Sequence, residues 1–305
     1  MPATISVRVP GSTANLGSGF DCVGIAVDRS VRVTARRDPS LKEPVRIERE
    51  GALQALAVPP QEDLLYLGFE RACRAAGQTP PPGVVLQAGS DIPVARGLGS
   101  SAAAVVAGAL AARALLGLTL DDAAVISVCA EIEGHADNVA PSVRGGAALV
   151  LQSGGRLLVT PLDVHPSLVL IFAIPDFMVS TERARSVLPK TVDHHTAVIA
   201  AARGAALVRG LASADPGLLA AGLDDVLHVP FRRSLIRGYD DVTSAAIAAG
   251  AFGATLSGSG STLVAVGPAP RAAGVESAMA QAWRTSGVGV ETFRLVRPAR
   301  GYEVS

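Results

Sequence analysis

The stretch D-I-P-V-A-R-G-L-G-S-S-A-A-A, Asp91 to Ala104, restricts what this chain can fold into more than any other. Gly97, Gly99, Ser100 and Ser101 are followed by Ala-rich sequence that runs to Leu116 with Arg113 as its single charge, and Gly117 stands where a helix stops. The pattern predicts a tight turn opening a buried helix. Such a turn leaves the first N–H groups of the helix unpaired and parallel, with the positive end of the helix dipole behind them. That geometry suits an anion, phosphate above all. A G-x-G-S-S turn also caps helices that bind nothing, so the rest of the chain has to decide between the two.

With 49% hydrophobic and 18% charged residues in a chain of 305, there is enough interior for two domains. The formal net charge is zero and the basic residues are scattered, which argues against a nucleic-acid surface. The opening M-P-A-T-I-S-V-R-V-P alternates like a strand and lacks the apolar centre of a secretory leader, so the cytoplasm is the expected location. The apolar run Ala102 to Ala112 is too short and too rich in small residues for a membrane span, and no membrane association is expected. Cys22, Cys73 and Cys129 are far apart and odd in number, which fits buried thiols rather than a disulfide framework or a zinc site.

Taken in order, a strand Ile5–Val9 leads into a loop at 11 to 21, G-S-T-A-N-L-G-S-G-F-D, whose small hydrogen-bonding side chains are anchored by Phe20. Strands Val23–Val27 and Val31–Arg36 follow, then a helix from Glu62 to Ala76 closed by Gly77, and a strand Val84–Ala88. After the Ala-rich helix, Thr119 and Asp122 have the spacing of a capping box for a helix that ends at Gly134. Next comes E-I-E-G-H-A-D-N-V-A-P, 131 to 141, where Glu131, Glu133, His135, Asp137 and Asn138 crowd together. The cluster is either a solvated helix end or a site, and a helix aims only one of the two glutamates inward. A hairpin of 145 to 151 with 156 to 160 turns at Gly154–Gly155, and a domain break is expected near 155 to 165. Beyond it lie a strand Leu168–Ile174, a helix capped by Thr181 with Arg185 one turn along, and an Ala-rich helix His194–Leu211 whose histidines read as a surface feature. Arg232 and Arg233 sit beside an aromatic in a Pro-broken loop, and a helix ends at Gly250. Two strands then flank a second Gly-Ser turn within 254 to 266, followed by a helix 271 to 286 and a strand 288 to 296. The succession suggests an α+β sandwich with helices on one face of an antiparallel sheet.

Three loops are thus built from Gly, Ser and Thr, while the chain has no G-x-x-x-x-G-K-[ST] and only two lysines, Lys42 and Lys190. Nucleotide phosphates bound here would be neutralised by backbone N–H groups, by Mg2+ on an acidic residue and a hydroxyl, and by arginine. Glu131 or Glu133, Ser100 and Arg185 are the parts available.

In this context the motifs become specific. V-P-G-S-T-A-N-L-G-S-G-F-D-C-V-G, I-P-V-A-R-G-L-G-S-S-A-A-A and E-G-H-A-D-N-V-A-P resemble, in order, the three signatures of the GHMP group of small-molecule kinases. With S-T-E-R-A-R-S-V-L-P, V-P-F-R and L-S-G-S-G-S-T the likeness covers nearly the whole chain, and the E-G-H-x-D-N segment is similar to the homoserine kinases within that group. The resemblance implies a two-domain α+β fold: an N-terminal ATP-binding domain, residues 1–160, and a C-terminal ferredoxin-like α+β sandwich, residues 161–305. It implies ATP-dependent phosphorylation of the side-chain hydroxyl of L-homoserine, with Mg2+ and a homodimer. Carried over by position, Asp91, Ile92, Pro93, Val94, Ala95, Arg96, Gly97, Leu98, Gly99, Ser100 and Ser101 wrap the phosphates. Ser100 and Glu133 hold the metal, with Glu131 left open. Asn15, Asp21, His135, Asp137, Thr181, Arg185 and Arg232 line the acceptor pocket, with Asp137, Asn138 and Arg185 at the reacting groups. Gly11, Ser12, Ser18, Ala136 and Ser261 depart from the family pattern, and looser loops are expected there. The alternatives are a kinase of the same group for another small alcohol, such as an isoprenoid precursor, and a nucleotide-binding regulator without turnover.

Overall fold

In the computed structural model, which describes residues 4 to 305, one strand of 19 residues ties the first half of the chain together. This is β2 (Gly19–Arg37), where the sequence pattern predicts two separate strands. The backbone stays extended through Asp28 and Arg29 because β1 (Thr4–Asn15) pairs with it from Thr4 opposite Arg36 to Ala14 opposite Gly24. β1 likewise continues through residues 11 to 15, assigned above to a loop, and only Leu16 to Ser18 remain as the turn. Ladder hydrogen bonds are made by backbone, so small side chains do not prevent a strand, and two register shifts in β1 absorb the misfit. Met1 to Ala3, the start of the alternating stretch, lie outside the described residues.

The first half continues with β3 (Val45–Gly51), α1 (Leu64–Ala75), β4 (Val84–Ser90), α2 (Ser100–Leu116), α3 (Asp122–Glu133), α4 (Val139–Arg144), β5 (Ala147–Ser153) and β6 (Arg156–Leu162). β4 pairs with the second half of β2 and carries β3, while β5 pairs with residues 23 to 25 of β2 and carries β6. α2 is apolar all round and is enclosed accordingly, with Ala102, Val105, Val106, Ala109 and Leu110 fully buried against α1, α3 and the sheet. The cap of α3 is Asp121, whose carboxylate accepts from Ala124 N at 2.8 Å, so the predicted Thr119 box does not form. α4, which the sequence pattern does not predict, begins directly after the polar cluster.

The second half comprises β7 (Leu168–Pro175), α5 (Thr181–Ser186), α6 (His194–Ser213), α7 (Pro216–Leu223), α8 (Val229–Arg232), α9 (Tyr239–Ala248), β8 (Gly253–Leu256), β9 (Leu263–Pro268), α10 (Ala272–Thr285) and β10 (Val290–Leu295). Its antiparallel sheet has the order β10-β7-β9-β8, a β-α-β-β-α-β frame with α5 to α8 inserted between β7 and α9. The two-residue period of β7 divides its side chains. Val169, Ile171 and Ala173 pack with Val242, Met279 and Trp283 of α9 and α10, whereas Leu168, Leu170 and Phe172 join the core of the first half. Helices therefore cover one face and the first domain abuts the other. α6 is long and apolar enough by length and composition to cross a bilayer, and here it lies alongside α7; His194 and His195 are exposed at its start. The chain then returns: β11 (Glu303–Val304) pairs with β1, so the tail belongs to the first sheet although a division at 160/161 places it with the second.

Candidate active site

The start of α2 is the centre of the site. Gly99, at φ +66°, precedes the helix, and a Cβ there would lie 2.3 Å from Ser12 Oγ, so a side chain is excluded both by conformation and by space. No side chain caps the helix, and its first internal bond runs from Ala103 N to Gly99 O at 2.9 Å, which leaves the N–H groups of Ser100, Ser101 and Ala102 for a ligand. The second Gly-Ser turn braces the first from beneath: Ser257 Oγ donates to Gly97 O at 2.6 Å and Thr262 N to Arg96 O at 3.1 Å.

Of the eleven residues from Asp91 to Ser101, six face the cavity: Val94, Ala95, Gly97, Gly99, Ser100 and Ser101. The others hold the loop or lie outside the lining. Asp91 accepts from Ser30 N, Ile92 and Leu98 are fully buried, and Pro93 does not line the cavity. Arg96 donates its guanidinium N–H groups to the carbonyls of Pro175 and Asp176, away from the site. The phosphate end consequently has backbone N–H groups and hydroxyls but no cationic side chain of its own loop.

The cavity, about 370 Å³, has two arms. One is mostly apolar, walled by Val31, Leu53, Leu56, Val58, Leu64 and Leu65 with the Arg49–Asp63 ion pair and Glu62 beside them, and suits a flat base. Nothing in the sequence marked it, because these residues come from a strand, a 3-10 turn, a loop and a helix without a shared motif.

Ser101, which lines the cavity, donates through Oγ to Glu133 Oε2 at 2.8 Å, and Glu133 itself lies behind it, outside the lining. It is Ser101, one residue beyond the expected Ser100, that meets the acid. Burial raises the Glu133 pKa and the Asp137 charge adds to this, against the Ser101 hydrogen bond and the nearby His135 charge. No salt bridge reaches Glu133 among the described residues. Glu131 is exposed and faces a second groove against β5 and β6, outside the main cavity. A half-buried carboxylate with no salt bridge among the described residues, beside hydroxyls and an unpaired helix start, is an oxygen donor set that fits Mg2+.

The polar arm is built from charges already paired. Gly24 of β2 lets the 135–138 turn lie against the sheet, since a Cβ there would meet Asp137 O at 1.7 Å. Asp137, 1% exposed, receives His135 Nδ1 at 2.7 Å and Asn138 N at 3.0 Å, both on Oδ1; Oδ2 has no hydrogen bond among the described residues. Burial alone would lower the His135 pKa, but the hydrogen bond and charge of Asp137 outweigh it and the value is raised. Asn138 Oδ1 accepts from Ser12 Oγ at 2.9 Å. Asp21, at a left-handed φ of +54°, forms a two-point ion pair with Arg185 at 2.9 and 3.1 Å, and its N–H is held by Asn15 Oδ1 at 2.9 Å. Ser180, not Thr181, caps α5; Thr181 Oγ1 lies 3.5 Å from Ser259 Oγ at the rim. Arg232 lies in helix α8 rather than in a loop, with Nε donating to Ala184 O at 3.0 Å, and Arg233 is exposed. Burial, then the charge of Arg185, lowers the Arg232 pKa to about 10. Cys22 is half-buried beside Asp137 and Asp21, and burial pushes its thiol up to about 11.

Three of the five departures from the family pattern, Gly11, Ser12 and Ser261, make close contacts. Ser12 Oγ donates to Asn138, Ser261 Oγ to Phe177 O at 2.6 Å, and a Cβ at Gly11 would meet Leu98 O at 2.7 Å, so each residue is fitted to a neighbour.

Two family descriptions match the chain, "GHMP kinases N terminal domain" over residues 63–146 and "GHMP kinases C terminal" over 207–285. The homoserine kinase of Trichormus variabilis is 42% identical over 287 residues, 94% of each chain, and that of a Synechocystis species is 36% identical over 304 residues, 99% and 98% of the two chains. Among solved structures, the homoserine kinase of Cytophaga hutchinsonii superimposes with a TM-score of 0.89 at 31% identity, covering 99% of this chain and 97% of that one. The L. major mevalonate kinase, at 16% identity and a TM-score of 0.67 over 98% of this chain and 97% of that one, shares the fold.

Proposed function

The chain belongs to the GHMP kinase family, and we propose that it transfers the γ-phosphoryl group of ATP to the side-chain hydroxyl of L-homoserine, giving O-phospho-L-homoserine on the way to threonine. The observation that carries this reading is that one cavity joins the unpaired start of α2 to the guanidinium groups of Arg185 and Arg232 and the carboxylates of Asp21 and Asp137. An amino acid is a zwitterion, and the polar arm offers both signs of charge: Arg185 and Arg232 for the carboxylate, Asp21 and Asp137 for the ammonium.

The apolar arm takes the adenine and the N–H groups of Ser100 to Ala102 take the phosphates. Glu133 with the hydroxyl of Ser101 or Ser100 holds Mg2+, which when bound offsets charge on the phosphate oxygens. The rest of the work is positioning. Phosphoryl transfer through a loose transition state needs little proton removal before the new bond forms, so holding the hydroxyl in line with the γ-phosphorus supplies most of the acceleration. Asp137 acts as an anchor, oriented by His135 and Asn138, and no general base is required.

A coupled ADP-release assay across homoserine, mevalonate, serine and threonine tests the reading. Homoserine should exceed the others in kcat/KM by about 100-fold or more, a margin within reach of polar-group recognition. Equal turnover of mevalonate, or none of homoserine, would reject it.

A further inference from the structure

Arg232 reaches the cavity although it is only 2% exposed, and its Nη1 meets two groups from within the protein, His228 Nδ1 at 3.2 Å, one helical turn back, and Gly258 O at 3.5 Å. The imidazole of His228 has a partner on each nitrogen: Nε2 is 3.0 Å from Gly17 O and Nδ1 is 3.2 Å from Arg232 Nη1. Its face stacks on Phe20 at 4.8 Å, and the Arg232 guanidinium lies over the same Phe20 ring at 5.1 Å. Asp225 Oδ2 accepts from the backbone N–H groups of His228 at 2.6 Å and Val229 at 2.7 Å, which fixes where the ring starts.

We propose that His228 is a positioning residue for the acceptor's carboxylate, holding Arg232 on one side and the Leu16–Ser18 turn on the other so that Arg232 and the Asn15–Asp21 segment keep one spacing. The proposal rests on the acceptor reading given above. The chemistry of the two partners dictates the form of the ring. A carbonyl only accepts and a guanidinium only donates, so the proton is on Nε2 and Nδ1 is bare. An imidazolium would turn an N–H toward Nη1 and lose that contact. Burial dominates and lowers the His228 pKa to about 4, against the pull of the Asp225 carboxylate and with the help of Arg232, which keeps the ring neutral at working pH. A phenyl ring would fill the same space and stack on Phe20, yet leave Gly17 O without its donor and Nη1 with only the longer contact to Gly258 O. Volume and hydrogen bonding are therefore separable here.

His228→Phe should raise the KM for homoserine by about 10- to 100-fold, the scale of a hydrogen bond to a charged group, while the KM for ATP stays within about twofold. His228→Gln, which keeps a donor and an acceptor, should recover much of that loss. With 3-aminopropan-1-ol, which lacks the carboxylate, kcat/KM should differ by less than about threefold between wild type and His228→Phe, because the contact that Arg232 makes is not used. In the unsubstituted enzyme, ring 15N resonances of His228 should show the neutral Nε2–H form from pH 6 to 9. The proposal is overturned by a Phe variant with wild-type homoserine KM, by equal losses with both acceptors, or by an imidazolium or Nδ1–H ring at neutral pH. Should the Phe variant fail to fold, the Gln variant and the resonances decide. A wild-type enzyme inactive on homoserine would reject the acceptor reading, and the ring's form would still test the network.

Discussion

The two ends of the cavity solve opposite problems with opposite materials. The phosphate end is made of backbone: left-handed glycines, three free N–H groups and one acid, Glu133, that has no salt bridge among the described residues. The acceptor end is made of side chains that already satisfy one another, Asp21 with Arg185, Asp137 with His135, Arg232 with His228. A backbone cradle is rigid and recognises any phosphate, so it needs only a metal to balance charge. A set of prepaired charges is selective, because an incoming zwitterion has to replace contacts of equal quality and anything less leaves a buried charge exposed.

If that contrast holds, the largest single loss belongs to the phosphate end. Glu133→Gln should reduce kcat by about two to four orders of magnitude, the scale of removing one electrostatic stabiliser, while the homoserine KM changes little. Near-normal kcat would return the metal role to Glu131, across the groove. The same acid offers a pH test. Its raised pKa means that it keeps its proton to higher pH than a free carboxylate, and a metal has to displace that proton. The Mg2+ concentration for half-maximal rate should accordingly rise as pH falls from neutrality in the wild type, and this slope should vanish in the Gln variant.

At the acceptor end, losses should show in KM. Asp137→Asn should raise the homoserine KM by about 10- to 100-fold, with a pH dependence of kcat like that of the wild type. A lowered kcat at unchanged KM, with the acidic limb of the profile gone, would make Asp137 a general base and spoil the contrast. The two arginines separate further. Arg185 is 39% exposed in its side chain, so Arg185→Ala should raise KM about tenfold at little cost in stability. Arg232→Ala removes the partner of Ala184 O and His228 Nδ1 in a buried place, and should also cost about 2 to 4 kcal/mol of unfolding free energy by urea titration. Equal stability losses would mean that the buried contacts of Arg232 contribute no more than the exposed pair of Arg185.

This division also explains what was readable in the sequence. The phosphate loop and the 131–138 cluster are contiguous, and a Gly-rich turn before an apolar helix or five polar residues in eight carry their own physical warning. The apolar arm is not contiguous: Leu53, Leu56, Leu64 and Val31 are ordinary apolar residues until the fold assembles them. Ser100 and Ser101 differ only in helix phase, which depends on Gly99 being the cap, and caps shift by a residue with little trace in composition. Residues 11 to 15 look like a loop because their side chains are small, yet their strand is imposed by pairing with β2. His228 had a usable signal: it stands four residues before Arg232, the spacing of side-chain neighbours on a helix, but the intervening Pro230 suggested a loop. Proline is tolerated at the first turn of a helix, which is where α8 places it.

The smallest expected effect tests whether the acceptor end is prepaired at all. His135 has a raised pKa, because the Asp137 hydrogen bond and charge outweigh burial. A histidine held this way stabilises the fold fully below its unfolded pKa of about 6.5, and the contribution fades as pH rises through the folded value. His135→Asn should therefore be less stable than wild type at pH 5.5, by about 1 kcal/mol or less, with the gap closing toward pH 9. His228 works in the reverse sense: its pKa is lowered to about 4, so its burial costs stability as pH falls from about 6.5 toward 4. That second slope is present in both proteins and cancels when urea midpoints are compared at the same pH, provided the two sites act independently. A gap that is constant with pH, or that widens toward pH 9, would mean that the His135–Asp137 contact carries no charge of its own. The acceptor arm would then acquire its pairing only when the substrate arrives.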